Sequence, residues 1–250
     1  MAARNRSIFF DADDTLFDYP RAERAAMRAC LREFGLRLDP AAFVETYRRH
    51  NLDLWQAFER GETDQATLRV ERFRRVAAEF GIEGLPLEDV SAFYLEALSG
   101  QPQLFPGALA TVRTLAKTYP LALVTNGIAF VQNRRFAASP ITRYFRSVVI
   151  SEEAGVAKPD PRIFEPALRA VGVEARDVLY VGDSITSDMA AARNAGMDFC
   201  WLNPNGAAAP PGPPPVCIIS DIRELPGCAD LLSHGSHART VPPRKKKEAS

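Results

Sequence analysis

The chain has 250 residues, of which 46% are hydrophobic and 25% are charged, an ordinary composition for a globular protein. Lys plus Arg and Asp plus Glu both total 31, so the formal net charge is zero. This balance gives no indication of a nucleic-acid polymer as partner. Because no apolar run approaches the ~20 residues of a membrane span, we expect no membrane association either.

The first predicted element is a short strand near the N-terminus. Residues 8–10 are apolar, and Asp11, Asp13 and Asp14 follow at once. A short apolar run between polar residues suits a buried strand better than a helix. The acids then lie at the carboxyl edge of a sheet, where open α/β folds bind ligands. They repel one another unless a cation or a shared proton relieves them, although an acidic turn alone would also fit.

A block of amphipathic helices follows the first strand. Apolar spacing predicts helices over residues 20–34, 40–60, 64–80 and 87–98, with Gly35, Gly61 and Gly81 near their ends as caps. No strand-like run interrupts this block. Residues 19–103 are therefore predicted to form an inserted helical cap domain.

Strands and helices alternate after residue 104. Strand-like runs occupy residues 121–125, 147–150, 178–182 and 198–202, with a short last strand at 216–220 and helical patterns at 108–118, 161–171 and 189–195. This alternation predicts an α/β core with a doubly wound, parallel, Rossmann-like sheet, built from residues 1–18 and 104–232. Residues 204–215 are rich in Pro and Gly and predict an irregular loop. Residues 233–250 predict a disordered tail, in which the basic run 244–247 is solvated.

The four cysteines are scattered at Cys30, Cys200, Cys217 and Cys228. They form no CxxC pair and have no histidine at ligand spacing. The pattern predicts neither a zinc site nor a disulfide framework, and it favours a reducing cytoplasm as the location.

Polar groups also follow three later segments. Thr125, Asn126 and Gly127 end one strand with a hydroxyl, an amide and a glycine, which together suit a phosphoryl group but also suit a turn. Lys158 precedes a proline, and its local sequence by itself predicts an ordinary surface lysine. Asp183 and Asp188 follow another strand, and Ser187 or Asp188 would also cap the next helix.

Taken in order, these four segments resemble the four motifs of the haloacid dehalogenase-like hydrolases. The resemblance runs from Ile8 to about Leu232 and includes a helical, C1-type cap after the first motif. It implies that Asp11 is the nucleophile that forms an aspartyl-phosphate, and that Asp13 is the general acid and then the base. It also implies that Thr125, Asn126, Gly127 and Lys158 bind the transferring phosphoryl group.

The resemblance further implies a magnesium cofactor. Its ligands would be a side-chain oxygen of Asp11, the backbone carbonyl of Asp13 and the side chain of Asp183, with Asp188 orienting a neighbouring group. The physical need is clear, because a carboxylate facing a phosphate costs about 4 kcal/mol per charge pair at ~4 Å and a dielectric of ~20. A hard divalent cation removes this repulsion. Asp14 and Thr15 match no catalytic position and are interpreted as turn residues.

Finer features resemble one branch of the family. The dehalogenases of this family lack an acid at the position that resembles Asp13, because a halide departs without a proton. The presence of Asp13 therefore favours phosphate chemistry over carbon–halogen cleavage. The segments that resemble the pyrimidine 5′-nucleotidase branch are Asn51, Leu54-Trp55, Glu59, Gly61 and Glu62, then Gln132 and Arg135, and finally residues 150–156 and 200–204. We therefore expect a Mg²⁺-dependent phosphatase of small phosphomonoesters, above all pyrimidine nucleoside 5′-monophosphates.

Other functions remain open from the sequence. An N-acylneuraminate-9-phosphatase, or another sugar-phosphate phosphatase, shares much of this pattern. A β-phosphoglucomutase-like phosphomutase would use the same acids, whereas a non-catalytic binding protein would show a damaged motif. The aromatic residues Phe43, Tyr47, Trp55 and Phe58 share one helical face, which favours cap core over base stacking. The expected partner is a small-molecule substrate, and the expected assembly is a monomer or homodimer.

Overall fold

The computed structural model describes residues 7–233, and six strands form one parallel sheet in the order β3-β2-β1-β4-β5-β6. The strands are β1 (Ser7–Phe10), β2 (Leu121–Thr125), β3 (Ser147–Ile150), β4 (Val178–Gly182), β5 (Asp198–Leu202) and β6 (Cys217–Ile219). Strand order reverses between β1 and β4, so a crevice opens there at the carboxyl ends. The predicted doubly wound α/β fold is confirmed.

Helices cover both faces of the sheet. Every residue of β1, β2 and β4 is buried, which explains why these strands read as continuous apolar runs. Side chains alternate between the two layers along β1: Ile8 and Phe10 join one apolar cluster, and Phe9 joins the other. The core therefore consists of two layers that hold β1 rigidly between them.

The first four helices fill the stretch predicted as a cap. They are α1 (Tyr19–Glu33), α2 (Pro40–Glu59), α3 (Gln65–Glu79) and α4 (Leu87–Ser99). Asp18, Asp39 and Asp64 begin the first three helices, because each side chain accepts a hydrogen bond from a backbone N–H of the first turn. The helices pack around an apolar cluster of their own. The division into a core (1–18 and 104–232) and a cap (19–103) remains a prediction.

The remaining helices flank the sheet. They are α5 (Ala108–Leu115), α6 (Ala129–Ala138), α7 (Ser151–Ala154), α8 (Glu165–Val171), α9 (Ala190–Ala195) and α10 (Leu225–Ser233). Two predicted helices begin differently from expectation: a 3₁₀ turn, Pro161–Phe164, precedes α8, and a π turn, Ile185–Met189, precedes α9. Helices α6, α7 and α10 were not predicted. Ile128 and Val131, at the start of α6, pack into the cluster of the first four helices.

The expectation that no disulfide forms is wrong for one pair. Cys217 of β6 is joined to Cys228 of α10, with their Cα atoms 6.7 Å apart. Spacing along the chain gave no sign of this, because a tight connection folds α10 back onto β6. Cys200 lies opposite Cys217 in the strand ladder and keeps a free thiol. The cytoplasmic location remains a prediction and loses the cysteine argument that supported it.

Two further expectations concern membrane-spanning helices and the C-terminal tail. No helix within residues 7–233 is long and apolar enough to cross a membrane. The predicted tail, residues 233–250, lies outside the described residues, apart from Ser233, which ends α10.

Candidate functional site

The carboxyl edge of the sheet brings the predicted residues together. Asp11 follows β1, Thr125 ends β2, and Asp183 follows β4. Because β1 pairs with both β2 and β4, the three positions are neighbours although they are far apart in the chain. The backbone N–H of Asp11 donates to the carbonyl of Val181 over 2.9 Å and fixes the start of the loop.

Lys158 lies inside this site and is not the surface lysine that its local sequence suggests. Its side chain is 3% exposed, and its Nζ donates to Asp11 Oδ1 at 2.5 Å and to Asp188 Oδ1 at 2.7 Å. Tyr180 receives a third hydrogen bond at 3.1 Å. All three ammonium donors therefore have partners, and the lysine bridges two buried carboxylates.

Asn126 positions the backbone around Lys158. Its Nδ2 donates to the Lys158 carbonyl at 3.0 Å, and its Oδ1 accepts from the Lys158 N–H at 2.8 Å. This reciprocal pair ties the loop after β2 to the segment that carries the lysine. Asn126 therefore has a structural function at the site in addition to the predicted phosphoryl contact.

Three carboxylates converge beside the lysine. Asp11, Asp183 and Asp188 each place an oxygen within 4.8 Å of the others. Burial raises the pKa of Asp11 well above its ordinary value; Lys158 opposes this shift, and Asp188 and Asp183 add to it. Burial, followed by repulsion from Asp188 and Asp14, likewise raises the pKa of Asp183. One ammonium group is too little positive charge for three acids.

The lysine itself stays charged. Burial alone would lower the pKa of Lys158, but attraction to Asp11 and Asp188 raises it well above its ordinary value. A protonated Lys158 next to Asp11 is what transfer of a negatively charged group requires.

Asp188 does not cap its helix, contrary to one of the two readings of the sequence. Its Oδ2 accepts from the backbone N–H of Ser184 at 3.0 Å, while its Oδ1 faces Lys158. The N-cap is Ser184, whose hydroxyl accepts from the N–H of Ser187 at 3.2 Å. The carboxylate of Asp188 also lies tightly against Gly182, where an added Cβ would overlap it.

The carboxylate of Asp13 is held by α6. Arg135 Nη1 donates to its Oδ1 at 2.6 Å, and Gln132 Nε2 donates to its Oδ2 at 2.8 Å. Arg135 is fully buried, whereas the Asp13 side chain is 24% exposed. In the sequence, Gln132 and Arg135 resemble branch features, and nothing near them in the chain predicts a contact with Asp13.

The other predicted positions have mixed outcomes. Thr125 is buried at the edge, as expected. The N–H of Gly127 is already bound to Ser151 Oγ at 3.0 Å, which leaves Gly127 no backbone donor for a phosphoryl group.

Asp14 lies in a turn with φ of 60°, and burial raises its pKa to about 7. Thr15 donates to Asp183 Oδ1 at 3.3 Å, so it does more than form that turn.

Two further residues contribute to the site: Tyr180 was missed in the sequence, and Glu59 was singled out there only as a branch feature. Tyr180, inside β4, contacts both Lys158 and Asp188, yet a tyrosine in an apolar strand reads only as core. Glu59, at the end of α2, accepts from Thr186 at 3.2 Å and links the helical block to the loop after β4. Only three-dimensional placement shows the contacts of these two residues.

A cavity of about 370 Å³ extends from this edge toward the first four helices. Its lining combines Asp13, Asp14, Asn126 and Gly127 with apolar, aromatic and charged side chains of α1, α2, α3 and α6. Of the four aromatic residues on α2, Phe43 and Tyr47 are core, as predicted. Trp55 differs, since it is half-buried and forms part of the cavity wall.

Several known proteins are similar to this chain over most of its length. Pyrimidine 5′-nucleotidase YjjG of Escherichia coli is 31% identical over 219 residues, covering 87% of this chain and 95% of that protein. Pyrimidine 5′-nucleotidase PynA of Streptococcus pneumoniae is 33% identical over 227 residues, covering 89% and 94%. The magnesium-bound crystal structure of the HAD-hydrolase YfnB from Bacillus subtilis superposes with a TM-score of 0.85 at 29% identity, covering 91% of this chain and 99% of that one.

A family description matches most of the chain directly. The pattern of the haloacid dehalogenase-like hydrolases covers residues 6–196, which include every acid of the site and Lys158. The protein is an enzyme, and it belongs to the haloacid dehalogenase-like hydrolase family.

Proposed function

We propose that the protein is a Mg²⁺-dependent phosphatase that hydrolyses small phosphomonoesters through a phosphorylated Asp11. The observation that carries this proposal is the contact of 2.5 Å between Lys158 Nζ and Asp11 Oδ1, at the edge where Asp183 and Asp188 converge. A carboxylate that faces a buried ammonium group suits attack on a phosphoryl group, because the cation offsets the charge of the incoming phosphate.

The residues present fit a magnesium ion. Burial and mutual repulsion raise the pKa values of Asp11 and Asp183, so a second cation is electrostatically favoured there. The available donors are oxygens, the type that Mg²⁺ prefers. Side chains of Asp11 and Asp183 and the backbone carbonyl of Asp13 would hold it, and it would neutralise charge on the phosphate. Asp188 would act by orienting Lys158, which it contacts at 2.7 Å.

The protein groups would perform two displacements. A carboxylate oxygen of Asp11 attacks phosphorus, the bond to the ester oxygen breaks, and Asp13 gives that oxygen a proton. Asp13 then removes a proton from water, whose oxygen attacks the same phosphorus and releases Asp11 and inorganic phosphate. Lys158, Thr125 and the backbone N–H of Asn126 would hold the phosphoryl oxygens throughout.

We further propose that pyrimidine nucleoside 5′-monophosphates are the preferred substrates. YjjG and PynA, which carry that activity in their names, align over more than four fifths of this chain. The cavity beside Asp13 is large and partly apolar, which suits an ester with an organic group of some size. Residues 19–103 would act as the cap that covers it, with Glu59 and Gln65 contacting the loops of the core.

The test is phosphate release from a panel of esters by the wild-type protein and two variants. Asp11→Asn is nearly isosteric and should lose turnover while keeping the wild-type unfolding temperature. Asp53→Asn, on the exposed side of α2, is the matched control and should retain turnover. The panel contains pyrimidine and purine monophosphates, sugar phosphates and sialic acid 9-phosphate. Full activity of Asp11→Asn would refute the nucleophile, and a preference for the sugar acid would refute the nucleotide assignment.

A further inference from the structure

Arg72 of α3 is a buried cation with an unused donor. The residue is 2% exposed, its Nε donates to the Arg69 carbonyl at 3.2 Å, and its Nη1 donates to Asn51 Oδ1 at 3.2 Å. Its Nη2 has no hydrogen-bond partner within residues 7–233. A buried donor without an acceptor is costly, and it is rare in folded proteins.

Aromatic rings stabilise the charge of Arg72 without a carboxylate partner. The guanidinium carbon lies 4.9 Å from the ring centre of Tyr94, 5.4 Å from that of Phe73 and 5.6 Å from that of Tyr47. Cation–π contacts of this kind favour a desolvated guanidinium. They hold the arginine in place, and the carbonyl and amide acceptors serve Nε and Nη1 only.

Arg72 and its partner Asn51 both belong to the wall of the cavity that reaches the catalytic edge. Arg135, in the same wall, also has a buried Nη2 without a hydrogen-bond partner in the described part of the chain, although its Nη1 is bound to Asp13. Two buried donors without acceptors thus belong to residues of one cavity wall, which fits a content that carries hydrogen-bond acceptors.

The charges of the wall favour a neutral acceptor over a second acid. Three arginines line the cavity together with three acidic residues, namely Arg48, Arg72, Arg135, Asp13, Asp14 and Glu23. Glu23 forms an ion pair with Arg48, and Asp13 forms one with Arg135. Within residues 7–233 Arg72 has no acid paired with it, and the three rings already stabilise its charge, so its Nη2 lacks a hydrogen-bond acceptor and not a counter-ion. A carbonyl oxygen satisfies an N–H donor without adding charge.

The apolar part of the wall suits a flat ring. Trp55 is half-buried there, beside Leu52, Leu95 and Leu98. An indole and aliphatic groups of this kind bind the face of a planar heterocycle and leave its edge to polar contacts.

We propose that Arg72, held by Asn51, is a specificity-determining residue that donates from Nη2 to a carbonyl oxygen on a planar ring, the oxo-pyrimidine base of the substrate. This inference rests on the proposed phosphatase function. It names residues of this chain that would recognise the base of the substrate, whereas the residues at the sheet edge recognise its phosphate.

The test compares two substrates in the same protein samples. Uridine 5′-monophosphate carries the ring carbonyls, and ribose 5-phosphate lacks the base. In Arg72→Met, kcat/KM should fall about 10- to 100-fold more for the nucleotide than for the sugar phosphate, mainly through KM. Arg72→Lys keeps a charge among the rings but removes the second N–H arm, so it should shift the same ratio. Arg74→Met, exposed on the same helix, is the control and should leave the ratio at the wild-type value.

Each possible outcome either supports or overturns the proposed role of Arg72. Equal losses for both substrates in Arg72→Lys would show that Arg72 only supports the fold of the helices, and would overturn the inference. A larger loss for sialic acid 9-phosphate than for the nucleotide would also overturn it, because the partner would then be a carboxylate. If Arg72→Met fails to fold by circular dichroism, the ratio in Arg72→Lys decides. Failure of the proposed function is a separate result: wild-type protein would release no phosphate from any ester.

Discussion

Arg135 donates through Nη1 to Asp13 Oδ1 over 2.6 Å, although the two residues lie 122 positions apart. Gln132, one turn earlier on α6, donates to the other carboxylate oxygen at 2.8 Å. Both oxygens of Asp13 are thus held by a single helix. Ile128, which precedes the same helix, and Val131 of its first turn pack among the first four helices. The direction of the Asp13 carboxylate is therefore coupled to the packing of the helical block on the core.

Replacing Arg135 tests this link. General acid–base catalysis contributes about 10²- to 10⁴-fold, so Arg135→Met should lower kcat at least about 10-fold by releasing Asp13 from its position. Steady-state turnover of a nucleoside monophosphate measures the effect. Arg134→Met changes the neighbouring residue, which is half-exposed and forms an ion pair with Glu96, and it should keep wild-type kcat. Wild-type kcat in Arg135→Met would show that Asp13 needs no such support.

Removal of divalent metal should stop turnover and lower thermal stability. The raised pKa values of Asp11 and Asp183 show that their charges are poorly compensated without a cation. Mg²⁺ that binds only the folded protein raises the unfolding temperature with concentration. Differential scanning fluorimetry in EDTA and then in excess Mg²⁺ measures this, and Asp183→Asn should reduce the rise. Activity that survives chelation would refute the assignment.

Lys158 should matter for stability as well as for turnover. Lys158→Met leaves the buried carboxylates of Asp11 and Asp188 without their shared cation, which typically costs about 3–5 kcal/mol. Urea unfolding without metal measures the change in unfolding free energy. Adding Asp188→Asn should recover part of the loss, because it removes one of the stranded charges. Lys117→Met, at an exposed position, should change stability little. An unchanged unfolding free energy in Lys158→Met would contradict this account of the stabilising ion pairs.

Glu23 predicts a measurable pH dependence. Burial raises its pKa above the ordinary 4.5, and the ion pair with Arg48 opposes this only in part. The folded state therefore holds the proton more tightly than the unfolded state does, so stability falls as pH rises from about 4.5 toward the folded pKa. Glu23→Gln lacks this titration.

The stability of Glu23→Gln relative to wild type should therefore increase with pH across that interval and become constant above it. Thermal unfolding of both proteins at closely spaced pH values provides the comparison, since other titrating groups cancel in the difference. A relative stability that declines with pH would mean that Arg48 outweighs burial.

Reduction of the Cys217–Cys228 bond should destabilise the C-terminal part. The cysteines are 11 positions apart, and closing a loop of that length contributes about 3 kcal/mol in the chain-entropy model. Dithiothreitol should lower the unfolding temperature of the wild type and have no such effect on Cys217→Ala/Cys228→Ala. Cys30→Ala, a buried thiol elsewhere, should keep the sensitivity to reductant. Equal unfolding temperatures of wild type with and without reductant would contradict the bond.

The sequence was most informative where the determinants are local. All six strands occur where apolar runs predict them, and the four helices of the insert lie within two residues of their predicted limits. Periodicity of this kind depends only on neighbouring residues, so one chain suffices to see it. Asp11, Lys158 and Asp183 were indicated by the resemblance of four segments, taken together, to the motifs of one family, since the local sequence of Lys158 alone predicts a surface residue.

Prediction failed where distant segments decide the structure. Helix α6 has a weak apolar face, since Gln132 and Arg135 point inward toward Asp13. Its pattern therefore does not read as an amphipathic helix. The Cys217–Cys228 bond depends on how α10 turns back onto the edge strand. Arg72 carries no local sign of its aromatic surroundings, which three different helices supply.

Gly182 shows that a residue without a functional group can still be indispensable to a reaction centre. Any larger residue would take the volume that the Asp188 carboxylate occupies, with Asp188 Cβ itself only 2.7 Å from the added atom. The Asp188 carboxylate would have to move, and the ammonium of Lys158 would lose one of its two carboxylate partners. Gly182 has no reactive side chain, yet the addition of a single methyl group at this position would disrupt the catalytic residues.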